Sequence, residues 1–270
     1  MERDQATAAE LQALLHGGSS LGGARPKAHV LDADGGIAIA KFPSPTADEW
    51  DVMRWEWVAL QLARQAGLWV PDSRLHVIDD KPVLVVDRFD RVGARRLGYV
   101  SAMTMLEATD GDEGSYLDIA GVIEERSPAA ADDLRQLWRR IAFSVLIRNT
   151  DDHLRNHGFL RVSAAGWSLS PAFDLNPDPR PGPKHLSAAV DYATSEARID
   201  VVLGVAGMFR LGDNEAQAVL REVTNATARW RAVAADAGLE GDAIDRMARA
   251  FEHDQAERAR DQVMSSARPS

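Results

Sequence analysis

The chain has 270 residues, 45% of them hydrophobic and 27% charged, with a formal net charge of −10 and no cysteine. That is the composition of an ordinary globular protein, long enough to bury a sizeable core. It excludes disulfide staples and thiolate metal sites, and its acidity argues against broad, charge-driven nucleic-acid binding. A local basic pocket around Arg25 and Lys27 remains compatible with that charge. No apolar run approaches the length of a membrane span. The charged start Met1-Glu-Arg-Asp-Gln5 is not a secretory signal. The expectation is a cytoplasmic protein with no membrane association.

Residues 7–16 read as a short helix with Leu11, Leu14 and Leu15 on one face. The stretch His16 to Ala24 is dense in glycine and reads as a loop. Lys27 to Leu31 and Ile37 to Phe42 read as strands, with a hairpin turn signal at Asp32-Ala-Asp-Gly-Gly36 between them. Residues 47–66 read as a helix, because Trp50, Met53, Trp57, Leu60 and Ala63 fall at helical spacing and Gly67 follows. Arg74 to Ile78 and Pro82 to Phe89 read as a second hairpin turning at Asp79-Asp80. From about residue 95 the pattern turns helical. Leu134, Leu137, Trp138, Ile141, Val145 and Leu146 define an amphipathic helix that runs up to Asn149. Gly158 to Arg161 and Trp167 to Leu169 read as short strands. Residues 177–183, with four prolines, read as an ordered or semi-ordered loop. Residues 213–234 and 241–261 read as two long surface helices, and Ser265 to Ser270 as a frayed end. The sum is an α+β chain in two lobes. A small sheet-rich lobe spans residues 1–92 and a mostly helical lobe spans residues 93–270.

The chemistry concentrates in Asn149-Thr-Asp-Asp-His-Leu-Arg-Asn156 and Ser170-Pro-Ala-Phe-Asp-Leu-Asn176. Phosphoryl transfer from ATP needs a carboxylate for the attacking hydroxyl, an amide oxygen for magnesium, and a second carboxylate between magnesium and phosphates. Asp151 lies five residues before Asn156, the spacing of the kinase H-R-D-x-x-x-x-N pattern, and Asp174 follows a short hairpin. Asp152 is the local rival to Asp151. A helix exit and turn would explain Asn, Thr and Asp at these positions. It would not explain the full spacing. Lys41 closes Ile37-Ala-Ile-Ala-Lys41, resembling the V-A-I-K strand whose lysine grips phosphates and is held by a helix glutamate. Glu49 and Glu56 are the candidates for that glutamate, and Glu56, on a helix otherwise lined by tryptophans, is the one expected to point inward to Lys41.

Gly17, Gly18, Gly22 and Gly23 precede a strand that begins with Lys27, so backbone N–H groups could approach phosphate there. The loop matches neither the P-loop nor the dinucleotide-binding fingerprint. His153 and His157 have zincin spacing, but no glutamate follows the first, which disfavours a zinc hydrolase. Ser19 and Ser20 lie in no G-x-S-x-G elbow, which disfavours a serine hydrolase.

Four segments together resemble the HipA-like kinases, a bacterial toxin family with a protein-kinase-like fold. They are Gly18 to Lys27, Ile39-Ala-Lys-Phe-Pro43, Val86-Asp-Arg-Phe-Asp-Arg91, and the Asn149–Asn156 string with Leu169 to Asn176. The resemblance implies a serine/threonine protein kinase using ATP and Mg2+. Asp151 would be the general base, with Lys41 and Asn156 also catalytic, and Asn156 and Asp174 would hold the metal. Gly22, Gly23, Ala24, Arg25, Pro26 and Lys27 would form the phosphate loop. Asp87, Arg88 and Phe89 would hold adenine. His153, Leu154, Arg155 and Phe173 would complete the nucleotide site. Ser20, or the adjacent Ser19, would be autophosphorylated, switching the kinase off. The implied substrate is a protein of translation such as an aminoacyl-tRNA synthetase. The implied partner is an antitoxin with a helix-turn-helix DNA-binding domain, so that any DNA contact is indirect. Family members usually carry a further N-terminal subdomain before the glycine-rich loop. Here the loop begins at residue 17, so either that subdomain has been removed or a separate small protein supplies it. A small-molecule phosphotransferase and a non-catalytic nucleotide-binding subunit are the alternatives.

Overall fold

The computed structural model describes residues 25–31, 35–44, 48–93, 95–109, 111–112, 114–164 and 166–266. The helix expected over 7–16, the glycine-rich stretch 16–24 and most of the terminal segment lie outside them. Ser265 and Ser266 fall within the last helix.

The N-terminal part is built on a four-stranded antiparallel sheet in the order β1-β2-β4-β3. Its strands are β1 (Lys27–Leu31) and β2 (Ile37–Lys41), then, after helix α1 (Val52–Gln65), β3 (Ser73–Ile78) and β4 (Lys81–Asp87). The alternating sequence of β2 works as read, because successive side chains leave opposite faces of a strand. Ala38 and Ala40 are fully buried on one face, in a small cluster with Ala28, Val83 and Val85. Ile39 and Lys41 take the other face. Lys27 pairs with Lys41, and Ile39 with Val86, so both lysines share that second face. The β3–β4 hairpin turns at Asp79 and Asp80, as expected. Both have positive φ (49° and 60°) between the paired Ile78 and Lys81, which fits the two-residue turn that twisted strands favour.

Helix α1 starts later than its apolar spacing suggests. Asp51 caps it by accepting from the Arg54 amide (3.0 Å). Asp48 is committed elsewhere, to the Arg25 guanidinium (2.8 Å) and the Ser44 amide (2.7 Å). Gly67, at φ +76°, ends the helix in the left-handed conformation that glycine adopts without penalty.

The expectation of helix from residue 95 onward is corrected in part. A small β5 (Arg91–Val92) and β6 (Arg95–Arg96) hairpin leads into β7 (Tyr99–Ser101), then a one-turn helix α2 (Ala102–Met105) and β8 (Gly114–Ser115). Helices α3 (Tyr116–Arg126) and α4 (Ala130–Leu146) follow, and then β9 (Gly158–Arg161) and β10 (Trp167–Leu169) as expected. β7 is a strand because β9, far along the chain, offers it a partner. No local periodicity could reveal that. β11 (Ala188–Ala189) runs parallel to β8.

The C-terminal helices are also corrected. Beyond α5 (Ile199–Gly204) the two expected long helices are four: α6 (Asp213–Thr227), α7 (Trp230–Asp236), α8 (Asp242–Phe251) and α9 (Asp254–Ser266). They are not merely surface helices either. The break before Trp230 turns its indole inward, where it stacks on Phe251 (4.9 Å between centroids) and meets Trp55 of α1 (6.1 Å). α1 is thus clasped between the sheet and these helices, and one continuous core runs from Leu84 and Val86 through α4 to Ala259. The Pro-rich segment is ordered around Asp178, which binds Arg180 (2.9 Å) and Lys184 (2.6 Å). Among the described residues, no helix is long and apolar enough to cross a membrane.

α4 is the central post, with Phe143 fully buried. Phe143→Ala should cost about 3–5 kcal/mol and lower the thermal midpoint by on the order of 10 °C. An unshifted midpoint would contradict a core centred on this helix.

Candidate active site

Two adjoining cavities form one cleft between the sheet and the loops that follow α4 and β10. One, of about 530 Å³, is lined mainly by polar groups, including Arg25, Lys27, Lys41, Asp151, His153, Arg155, Asn156, Asp174 and Asn176, with Pro26 beside them. The other, of about 450 Å³, is more apolar, with Ile39, Val86, Phe89 and Tyr99 in its wall. Lys27, Lys41, Glu56, Phe173 and Asp174 belong to both.

Lys41 is the junction. Its Nζ lies 2.5 Å from Glu56 Oε1 and is also bonded to the Asp174 carboxylate. Of the two candidate glutamates, the structure brings Glu56 to Lys41. Burial by itself would discharge all three groups. For Lys41 the two carboxylates outweigh burial and hold its pKa above the ordinary lysine value. For Asp174, burial is overcome by Lys41, and its carboxyl stays below the usual range. For Glu56 burial wins, and its carboxyl is pushed up despite Lys41.

Asp174 holds the left-handed backbone conformation at φ 53°. A non-glycine residue there stores about 1–3 kcal/mol of strain, which persists only where the surroundings impose it. The ion pair with Lys41 and the packing of the Phe173 ring on Phe89 (5.7 Å) are two such constraints.

The string 149–156 separates its two aspartates cleanly. Asp151 has a 74% exposed side chain and faces the cleft, with His153 Nε2 3.8 Å from its carboxylate. Asp152 is buried. It accepts from the Tyr116 hydroxyl and from the Ser187 amide (2.9 Å), and burial pushes its carboxyl up to about 6. Asp152 therefore braces the loop from below. The Asn156 amide donates to the Asp151 carbonyl (2.6 Å), which leaves its own oxygen for other use. Among the described residues Asn176 Oδ1 and His153 Nδ1 are buried polar atoms with no partner. Asn156 and Asp174 offer one amide oxygen and one carboxylate. That set suits Mg2+, which keeps waters and substrate phosphates in its remaining positions. No cluster of three or more acidic, histidine or cysteine side chains that could hold a metal occurs among the described residues.

Sequence reasoning missed the supports beneath these loops. Arg140 on α4 is buried and donates to the Ser170 carbonyl (2.8 Å). Its other nitrogen approaches His157 Nδ1 at 3.4 Å, and His157 Nε2 lies 3.1 Å from the Asp152 carbonyl. One guanidinium thus joins Ser170 to His157, and His157 in turn reaches the string 149–156 at Asp152. Asn149 Oδ1 adds a second tie by accepting from the Asn176 amide (3.2 Å). The available signal was a charge set into the apolar stripe of α4, between Leu137 and Ile141. Tyr99 was also missed. It lines the apolar cavity, and burial, reinforced by Asp174, pushes its hydroxyl up to about 12.

The other expected residues fall as follows. Asp87, Arg88 and Phe89 line the apolar cavity. The amides of Asp87 and Arg88 are already bonded to the Asp72 and Ile37 carbonyls. Leu154 is buried under the loop, where its side chain fills the space a Cβ at Gly114 would need, and it does not line the cleft. Gly22, Gly23, Ala24, Ser19 and Ser20 lie outside the described residues.

Residues 19–253 match the HipA-like C-terminal domain. The chain belongs to that family. Over 159 residues it is 29% identical to Y4dM of Sinorhizobium fredii, which carries a kinase designation, and it covers only 38% of that protein's length. Its fold is similar to a chain of the Shewanella oneidensis MR-1 toxin–antitoxin assembly of HipA, HipB and operator DNA. The TM-score is 0.69 at 16% identity, covering 92% of this chain and 65% of that one. It is also similar to the Helicobacter pylori proinflammatory kinase CtkA, with a TM-score of 0.66 at 15% identity over 93% of this chain and 95% of that one. The architecture is therefore the α+β, kinase-like fold, an N-terminal antiparallel sheet followed by a mostly helical part.

The buried network has a pH signature. Burial, and then the Arg140 charge, push His157 down to about 3. Between that value and about 6.5 the unfolded chain takes up a proton there that the folded chain refuses. The contribution of His157 is complete above this window and drains as pH falls through it. Asp152 has the opposite sign. Its folded pKa of about 6 exceeds the unfolded value, so its share is present at low pH and lost as pH rises through about 6. For His157→Asn, the urea-unfolding free energy should fall less between about pH 6.5 and pH 4 than in the parent chain. An identical slope would place the acid sensitivity elsewhere.

Proposed function

We propose that this chain is an ATP- and Mg2+-dependent serine/threonine protein kinase. The observation that carries the reading is the meeting of Lys41, Glu56 and Asp174 in one cleft with Asp151 and Asn156. Phosphoryl transfer asks a protein mainly for position and charge. Lys41, kept protonated by its carboxylates, would hold the phosphates, and Glu56 would keep its side chain in place. Asp151 would accept the proton of the acceptor hydroxyl, with its backbone held by Asn156. Asn156 and Asp174 would hold Mg2+, whose charge offsets that of the triphosphate. The apolar cavity of Ile39, Val86, Phe89, Tyr99 and Phe173 would take the adenine. With the Asp87 and Arg88 amides already paired, that base would be recognised largely by ring contact and by carbonyl oxygens.

The family membership extends the proposal. The chain would act as the toxin of a toxin–antitoxin pair, with an antitoxin carrying a helix-turn-helix domain as partner and a translation component such as an aminoacyl-tRNA synthetase as substrate. Ser20, or Ser19, would be the autophosphorylated residue. A phosphate there adds about two negative charges; placed beside the ATP phosphates, it would repel them and oppose nucleotide binding.

Purified protein with radiolabelled ATP tests this reading. Label should appear on protein, at Ser19 or Ser20 by mass spectrometry, and Asp151→Ala should reduce transfer by at least about 100-fold while ATP still binds. Transfer only to an added small molecule, or binding without transfer, would refute it. Asp174→Ala should weaken Mg2+-dependent ATP binding by roughly tenfold or more without unfolding the chain. Equal affinity in calorimetry would remove Asp174 from the metal site.

A further inference from the structure

A separate cavity of about 560 Å³ opens beside the C-terminal end of α4 and shares no lining residue with the cleft. Four stretches wall it: the α4 end at Val145 and Arg148, residues 182–184, residues 196–198, and the start of α9 from His253 to Arg258. It is rich in cations, although the chain as a whole carries −10. Lys184 is matched by Asp178 (2.6 Å), and Arg198 by Glu196 (3.2 Å) and Asp200. Arg148 and Arg258 are not matched by any carboxylate among the described residues. The Arg148 guanidinium donates only to the backbone carbonyls of Arg249 (3.1 Å) and Gly182 (2.6 Å). Arg258 is exposed and has no bonded partner among the described residues. The cavity's one carboxylate outside an ion pair is Asp254, which is bonded to the Gln255 amide (2.7 Å).

Arg148 is also held in place. It leaves α4 in the left-handed conformation (φ 53°), and two carbonyls from separate segments fix its side chain. A guanidinium fixed in this way gives up little freedom on binding, and the N–H groups it has left over from those two carbonyls can donate to phosphate oxygens. The volume is that of a small-molecule pocket, far larger than an inorganic ion requires. We propose that this cavity is a second binding site, for a small organic phosphate held by Arg148 and Arg258. The proposal does not depend on the chemistry assigned to the cleft.

Calorimetric titration of the full chain with fructose 1,6-bisphosphate is the test. Saturable binding is expected. Arg258→Glu, at an exposed and unpaired position, should weaken it by roughly tenfold or more. Lys41→Met, in the cleft, should leave it unchanged, as should Arg126→Glu, a charge reversal on the distant surface of α3. Absence of saturable binding would overturn the proposal, as would parental affinity in Arg258→Glu. A loss in Lys41→Met would place the bisphosphate in the cleft, and an equal loss in Arg126→Glu would reduce the effect to net charge. Either result would also overturn it.

Discussion

Lys41 carries a full positive charge into a place where water is scarce, and the chain meets it with two carboxylates drawn from well-separated segments. Glu56 lies 15 residues onward and Asp174 lies 133 residues onward. A buried cation left without partners costs several kcal/mol, roughly as much as many whole domains retain as net stability. The three side chains therefore have to arrive together. Much of the surrounding architecture can be understood as the means of delivering them: the sheet presents Lys41, α1 presents Glu56, and the turn after β10 presents Asp174.

α1 is the element on which this delivery turns. Its apolar faces are occupied on one side by the sheet and on the other by Trp230 and Phe251, so it has little room to rotate. A helix gripped on two sides fixes the direction of every side chain it bears. Glu56 is consequently held at the lysine by packing as much as by charge. On the opposite wall, Arg140 and Asn149 perform the corresponding task by hydrogen bonding, tying the two polar strings to each other. One wall of the cleft is thus set by contact between hydrocarbons and the other by a buried polar network.

What could be read from residues alone follows the range of the forces involved. The strand of Lys41 and the hairpin at Asp79-Asp80 are local, since alternation and turn chemistry act over a few residues. The spacing of Asp151, Asn156 and Asp174 is also local, being confined to two short strings and one hairpin. Glu56 was legible as the preferred of two options, because helical phase narrows direction, although tertiary packing chooses. β7 was hidden, since its partner β9 lies some sixty residues onward. The splits between α6 and α7 and between α8 and α9 were hidden as well, because the continuous apolar stripe gives no sign of where a helix must bend to seat Trp230. Leu154 illustrates a different limit. A motif position says that a residue belongs to a loop, and only the folded chain says which side of the loop it takes.

The pairing of Lys27 with Lys41 has a consequence for how this chain tolerates change in length. Neighbouring positions on a strand project to opposite sides, so sliding β1 along β2 by a single step would carry Lys27 out of the cleft and into the alanine-packed layer. Insertions or deletions inside either strand are therefore costly to the cleft side of the sheet, because they change which face the residues beyond them take. Lys27 and Lys41 are kept on one face by the parity of the sheet, a safeguard that involves neither of their side chains.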